Sequence, residues 1–145
     1  MTVRLPVAIA DLIRAEATAA YPLECCGLLI GQWSPDGQML TVIEAHPSKN
    51  VTDGDARRGF EIDPKLRFDL MRQAQARADG TDIVGHWHSH PDGPAEPSAR
   101  DLAAAYEPEF VWLICRSTNE RAENLGAFRL NDAKDSFDIL SLAVD

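Results

Sequence analysis

Apolar and polar positions change period along the first third of the chain. Residues 6–19 place alanine and branched apolar side chains on one side of a 3.6-residue repeat, which predicts an amphipathic helix closed by Tyr21-Pro22. Residues 25–33 and 39–46 are rich in apolar and β-branched side chains and are joined by Ser34-Pro35-Asp36-Gly37, a run of turn residues. These segments predict a helix followed by a β-hairpin.

The rest of the chain continues this mixture of periods. Residues 48–58 are polar and predict an irregular segment, Gly59–Ile62 predicts a short strand, and Asp63-Pro64 begins a helix through about Ala78. A strand is then expected over residues 82–88 and a short helix from Ser98. Three further strands are expected over residues 110–116, 125–130 and 137–144. Helices interspersed with hairpins and crossovers predict an α+β fold, a mixed β-sheet flanked by helices.

The strand over residues 82–88 leads into two histidines that share a face. His88 and His90 are two apart, and alternate side chains of a strand point the same way. Pro91 cannot donate a hydrogen bond to a sheet, so the strand is expected to end there. The sequence therefore predicts two imidazoles side by side at a strand end.

A hydroxyl and a carboxylate follow after a loop. Ser98 comes after a proline and is a preferred N-cap, and Asp101 then falls in the first helical turn, where the helix dipole favours a negative charge. That turn can present both groups toward the strand end. Two imidazoles and one carboxylate, with a fourth position open, are typical of a catalytic zinc rather than a structural one.

At these residues the chain resembles the JAMM (MPN-plus) metallopeptidase family, in particular its small stand-alone prokaryotic members. The resemblance rests on the order His-x-His-Pro-x6-Ser-x-x-Asp and extends to most of the chain. It includes Pro22-Leu23-Glu24-Cys25-Cys26-Gly27-Leu28-Leu29-Ile30-Gly31, Asn50 and Phe60-Glu61-Ile62-Asp63-Pro64. The α+β fold it implies is the MPN fold, which is cytidine-deaminase-like, and this agrees with the elements above.

The resemblance implies a role for each residue of the site. His88, His90 and Asp101 would hold one catalytic zinc ion (Zn2+), with a water in the fourth position. Glu24 would be the general acid/base, and Ser98 would stabilise the oxyanion. The implied activity is that of a zinc metallopeptidase, or isopeptidase, that hydrolyses the amide bond after the C-terminal Gly-Gly of a ubiquitin-like sulfur-carrier protein.

Two other functions remain open at this point. Relatives commonly carry an aromatic pair before the first ligand, whereas this chain has His86 and Trp87. A zinc site made of His86, His88 and His90, acting on a small molecule, is therefore one alternative. The other is a non-catalytic MPN scaffold, against which the complete set of site residues argues.

Composition bounds the class of protein. With 145 residues, 45% of them hydrophobic, the chain predicts a single domain over residues 1–145. A net charge of −9 argues against nucleic acid or an anionic membrane as partner. No apolar segment is long enough to span a bilayer, and three cysteines, two of them adjacent, suit a reducing cytoplasm better than a disulfide framework. Nothing in the sequence selects an oligomeric state.

The expected substrate contact is the segment around Phe60 and Ile62. As an edge strand beside the zinc it would pair with an extended Gly-Gly tail by strand addition. Arg57 and Arg58 precede it and either contact the substrate or are simply solvated.

Overall fold

Seven strands and three helices make up the computed structural model, which describes residues 1–145. In chain order they are β1 (Thr2–Leu5), α1 (Val7–Ala20), β2 (Cys26–Trp33), β3 (Met39–Ser48), α2 (Pro64–Arg77), β4 (Asp82–Pro91), α3 (Ala99–Ala104), β5 (Val111–Ser117), β6 (Ala122–Leu130) and β7 (Phe137–Val144).

The strands form one closed sheet in the order β1-β3-β2-β4-β5-β6-β7, and β1 completes the closure by pairing with β7. The sheet is mixed, because β4 is antiparallel to β2 and parallel to β5. Helices α1 and α2 pack against it. The predicted α+β class, a mixed sheet with helices, is confirmed, with the addition that the sheet closes into a barrel.

Strand β2 is buried on both faces, which explains its unbroken apolar run. Leu29 packs into a large apolar cluster that includes Ile13 of α1. Leu28 and Ile30, pointing the other way, pack on Leu70 of α2. One strand therefore supplies two cores, and a sheet covered on both sides predicts continuous rather than alternating hydrophobicity.

A close contact fixes β4 against β2 beside the predicted site. Gly27 pairs with Trp87, whose fully buried ring occupies the space where a Cβ at position 27 would lie. A glycine is needed at this point because any side chain would displace the indole. In the same register Cys26 pairs with His88, so the start of β2 lies next to the histidines.

Two elements differ from the sequence-based expectations. β1 was not predicted; it is only four residues long and depends on parallel pairing with β3 and β7, which lie far away in sequence. The strand predicted over Gly59–Ile62 is wrong, since that segment makes only an isolated bridge between Asn50 and Ile62. The facing segment around Asn50 is irregular, and Asp63 caps helix α2 directly after Ile62. Too few residues remain for a regular ladder of hydrogen bonds.

The other predicted helices and strands are present, with ends shifted by up to three residues. The shift at β4 matters most, because the strand continues beyond residue 88 to Pro91 through parallel pairing with β5. His90 is therefore a strand residue and not part of the following loop. No helix is both long and apolar enough to cross a membrane.

Candidate metal centre

Three histidines follow one another along one face of β4. Nε2 of His88 lies 3.0 Å from Nε2 of His90, and Nδ1 of His88 lies 3.3 Å from Nε2 of His86. All three are buried. The alternation predicted from the sequence thus brings His88 and His90 together with facing nitrogens.

Helix α3 brings a carboxylate onto this pair. Oδ2 of Asp101 lies 3.0 Å from Nε2 of His90, and Oδ1 lies 3.4 Å from Nε2 of His88. Ser98 holds the helix start in a capping box, because its hydroxyl accepts from the Asp101 N–H at 3.1 Å while its own N–H donates to Oδ2 of Asp101 at 2.9 Å. The cap that starts the helix therefore also fixes the carboxylate.

The three converging groups fit a zinc ion in type and spacing. Around a tetrahedral zinc with bonds of about 2.0–2.2 Å to nitrogen and oxygen, neighbouring ligand atoms lie about 3.3 Å apart. The distances between His88, His90 and Asp101 are 3.0, 3.0 and 3.4 Å. Two imidazole nitrogens this close, without a shared cation, would repel through their lone pairs or require a proton between them.

Glu24 also lies beside the histidine pair. Its carboxylate and the ring nitrogens of His88 and His90 lie within 4.8 Å of one another, so the three also qualify as a metal-binding group. Asp101 approaches the two nitrogens more closely, which favours Asp101 as the third ligand and leaves Glu24 beside the site. Oε1 of Glu24 is buried and has no hydrogen-bond partner within the chain.

Burial dominates the electrostatics of Glu24. It raises the pKa of the carboxyl to about 7, while the charge of His90 acts in the opposite direction. A carboxyl that exchanges its proton near neutral pH suits a general acid/base.

Asp101 and His88 carry the charges that metal binding needs, and His90 must lose a proton to do so. Burial acts to raise the pKa of Asp101, but hydrogen bonds from His88 and His90 hold that pKa well below its usual range, so the carboxyl is ionised. Burial lowers the pKa of His88 and keeps the ring neutral. For His90 burial also acts to lower the pKa, but the hydrogen bond to Asp101 outweighs it and the pKa is raised. An ionised carboxylate and imidazoles that release their protons are the form in which these side chains bind metals.

His86 occupies a different position from the other two histidines. It faces Nδ1 of His88, on the side of that ring away from His90, and it packs edge-on against Trp112 with ring centroids 4.4 Å apart. Burial lowers its pKa well below the ordinary value, so the ring is neutral. A single ion between His88 Nε2 and His90 Nε2 is out of reach of His86, and the geometry therefore disfavours the three-histidine site.

Asn50 is a supporting residue to which the sequence assigns no role. Its amide donates to the carbonyls of Glu24 and Gly59, at 3.2 and 3.1 Å, and its Oδ1 accepts from the N–H of Glu61 at 3.0 Å. The Glu24 N–H donates to the carbonyl of Ala56 at 2.8 Å. Asn50 thus ties the backbone of Glu24 to the segment around residue 60. The resemblance includes Asn50, but only its hydrogen bonds in the fold show what it does.

A cleft of about 520 Å³ leads to the site. Phe60 and Ile62 line it, as the sequence predicts for substrate contacts, together with His86, Asp101 and Arg100. The Phe60 ring also stacks on His88, with centroids 4.3 Å apart and planes 22° apart. The arrangement places the Asp101 carboxylate and the histidine row at the wall of a partly apolar cleft, whereas Ser98, at the start of the same helix, is exposed and lines a separate, smaller pocket.

Comparison with known proteins gives a consistent result. The profile described as "Prokaryotic homologs of the JAB domain" matches residues 6–131. The chain is 37% identical over 102 residues to a desampylase of Haloferax volcanii, covering 70% of this chain and 68% of the relative. It is 28% identical over 137 residues to the CysO-cysteine peptidase of Mycobacterium tuberculosis, covering 90% of this chain and 86% of the relative. The solution structure of a protein from Desulfitobacterium hafniense superposes with a TM-score of 0.79 at 26% identity, covering 100% of this chain and 93% of that one.

Proposed function

We propose that this chain, which belongs to the family of prokaryotic JAB-domain homologues, hydrolyses the amide bond after the C-terminal Gly-Gly of a ubiquitin-like sulfur-carrier protein. The chain is a JAMM-type metallopeptidase, and the family is zinc-dependent. The observation that carries the proposal is the convergence of His88, His90 and Asp101 beside a buried carboxylate at the end of a cleft.

His88, His90 and Asp101 are the residues that would hold one zinc ion. When bound there, zinc supplies a lowered pKa for a coordinated water, to about 7, and polarises the carbonyl under attack. The three side chains keep their orientation through contacts outside the site: Nδ1 of His90 lies 2.9 Å from the Pro94 carbonyl, and Asp101 is held by the Ser98 N–H. Nδ1 of His88 lies 3.3 Å from Nε2 of His86, so His86 is placed to accept a proton carried on Nδ1, the tautomer that would leave Nε2 of His88 for the metal.

Glu24 moves the proton of the reaction. It removes a proton from the attacking water and returns it to the nitrogen of the leaving amine as the C–N bond breaks. The oxygen of the water ends on the carbonyl carbon of the second glycine. Burial without a hydrogen-bond partner supports this role, because no other side chain competes for the proton on Oε1.

Ser98 is the residue that meets the charge developing on the carbonyl oxygen. Its oxygen accepts from the Asp101 N–H, which leaves its own O–H free to donate, and the residue is exposed. A hydroxyl fixed in place before the reaction stabilises an oxyanion without reorganisation.

The substrate assignment rests on the relatives and on the cleft. One relative is a desampylase and another a CysO-cysteine peptidase. Within Phe60–Ile62, only the backbone of Glu61 is engaged by the facing segment, through Asn50 and Val51. The N–H and C=O groups of Phe60 and Ile62 make no hydrogen bond within the chain, so they are free to pair with a Gly-Gly tail by strand addition.

The decisive experiment uses ubiquitin-like sulfur carriers that bear a C-terminal extension after Gly-Gly. We expect mass spectrometry to show zinc-dependent cleavage after the second glycine, and Glu24→Gln to lower kcat about 10²- to 10⁴-fold, the usual contribution of general acid-base catalysis. Glu24→Gln keeps the shape of the side chain and should keep zinc, so a loss of cleavage in this variant reports on proton transfer and not on metal binding. A zinc-loaded protein that leaves every such carrier intact would refute the proposed substrate, and a protein that binds no zinc would favour a scaffold.

Strand addition has its own test in Ile62→Pro. Proline removes the N–H at position 62 that would pair with the tail, so we expect a raised KM for a folded carrier. Ile62→Val is the matched control, since it keeps the N–H and most of the contact with Leu28 and Leu70. Equal KM values for the two variants would contradict strand addition.

A further inference from the structure

One guanidinium in the cleft is without an acidic partner. Arg67 is engaged by Glu107, with Nη2 at 2.9 and 3.1 Å from the two carboxylate oxygens. Arg100 also lines the cleft but makes no ion pair, and its side-chain hydrogen bond goes to the carbonyl of Arg58 at 3.2 Å. The cleft therefore holds an arginine whose remaining donors are free for a ligand.

The position of Arg100 relates it to the reacting end of the cleft. It is the residue before Asp101 in the first turn of α3, and its Nη1 reaches across to the turn at Arg58 and Gly59. A Cβ at Gly59 would lie 3.2 Å from Nη1, so the missing side chain leaves the guanidinium room at that point. The Asn50 amide joins this turn to Glu24, because it donates to the carbonyls of Gly59 and Glu24 at 3.1 and 3.2 Å. Arg100 thus lies in the wall of the cleft next to Asp101 and beside the turn that Asn50 ties to Glu24.

We propose that Arg100 binds the free α-carboxylate of a single amino acid that leaves from the carrier tail. This rests on the proposed function and names the leaving group. In a C-terminal amino acid the carboxylate is two bonds from the scissile nitrogen, whereas a residue inside a longer peptide carries a neutral amide there. A guanidinium with two free parallel N–H donors distinguishes the two, because it forms a bidentate pair with a carboxylate.

The reaction is a hydrolysis and needs no further reactant. The C–N bond between the second glycine and the amino acid breaks, and the oxygen of water bonds to the glycine carbonyl carbon. Both protons of the water end on the amine, because near neutral pH the products are a carboxylate and an ammonium group. The products are a carrier that ends in Gly-Gly and a free amino acid.

The test compares two substrates that differ only at the terminal group. A ubiquitin-like sulfur carrier ending in Gly-Gly-Ala is prepared with a free C-terminal carboxylate and, separately, as the C-terminal amide. For the zinc-loaded protein we expect kcat/KM to favour the free acid by about tenfold or more, the factor of one hydrogen bond to a charged group. In Arg100→Gln that preference should fall to about twofold or less, and Arg100→Lys should restore part of it, since a lysine keeps the charge but loses the fork.

Arg57→Gln is the matched control. Arg57 is exposed in the turn opposite and does not line the cleft, so its removal should leave the acid-to-amide preference intact. Equal rates on acid and amide in the unaltered protein, or the same preference in Arg100→Gln, would overturn the role of Arg100 and leave the peptidase assignment standing. Failure to cleave either substrate would instead remove the proposed function, and this inference with it.

Discussion

The two faces of strand β4 lie in different environments, one in the apolar core and one in the cleft. Trp87 is fully buried against the apolar cluster beside α1, where its partners are aliphatic. His86 and His88, on either side of it in sequence, point away from that cluster into the cleft and touch each other, Phe60 and Trp112. The face toward α1 holds the sheet together, whereas the face toward the cleft concentrates buried polar groups that a stable core would avoid.

This difference separates stability from chemistry within one strand. A substitution on the α1 side should change the free energy of unfolding, and one on the cleft side should change metal binding. The face toward α1 also fixes the histidines on the other face, because β4 cannot shift its register without moving Trp87 out of its contact with Gly27.

The largest effect should follow from Asp101→Ala on the cleft side. Removing one of three ligands should lower zinc affinity by more than about 100-fold, beyond the range for a supporting residue. Isothermal titration with zinc measures it. Ala103→Gly, in the same short helix but away from the ligands, controls for loss of helix α3. Retention of zinc by Asp101→Ala together with loss in His86→Ala would favour the three-histidine site instead.

On the α1 side, Leu113→Ala should cost stability without altering the metal site. Leu113 is fully buried and pairs with Trp87 in the parallel ladder. We expect about 2–5 kcal/mol less free energy of unfolding, the usual cost of truncating a buried leucine to alanine. Urea unfolding measures it, and Leu113→Met should cost less than about 1.5 kcal/mol because volume is kept. An equal fall in the zinc affinity of the folded protein would break the separation between the faces.

Substitution of His86, which is both packed against Trp112 and in contact with the proposed ligand His88, should change zinc affinity by the smallest amount. If it accepts the Nδ1 proton of His88, His86→Leu should lower zinc affinity about 10- to 100-fold. His86→Gln keeps an acceptor and should recover part of that loss. Similar affinities in the two variants would mean that His86 only fills space beside Trp112.

Much of the site was accessible from the sequence because its spacing matches local geometry. Residues two apart on a strand share a face, so the spacing alone pairs His88 with His90, and the Ser98 cap places Asp101 in a first helical turn. The missed elements lack such a local signal. β1 depends on partners 37 and 139 residues away, as in the pairs of Thr2 with Met39 and Ser141. The composition of Phe60–Ile62 is typical of a strand, but the sequence does not reveal that the segment facing it, around Asn50, is too irregular to form a ladder with it.

The sequence by itself determined which groups are available and which face each one takes, since the periods of helix and strand are properties of a few adjacent residues. Only the tertiary structure decided which distant groups meet. It brought Glu24 to the histidines through the register of β2 on β4, closed the sheet with β1, turned His86 toward Nδ1 of His88, and left Arg100 facing the cleft without a carboxylate. Such pairings depend on packing between segments far apart in the chain, and the energy that selects them is distributed over the whole core.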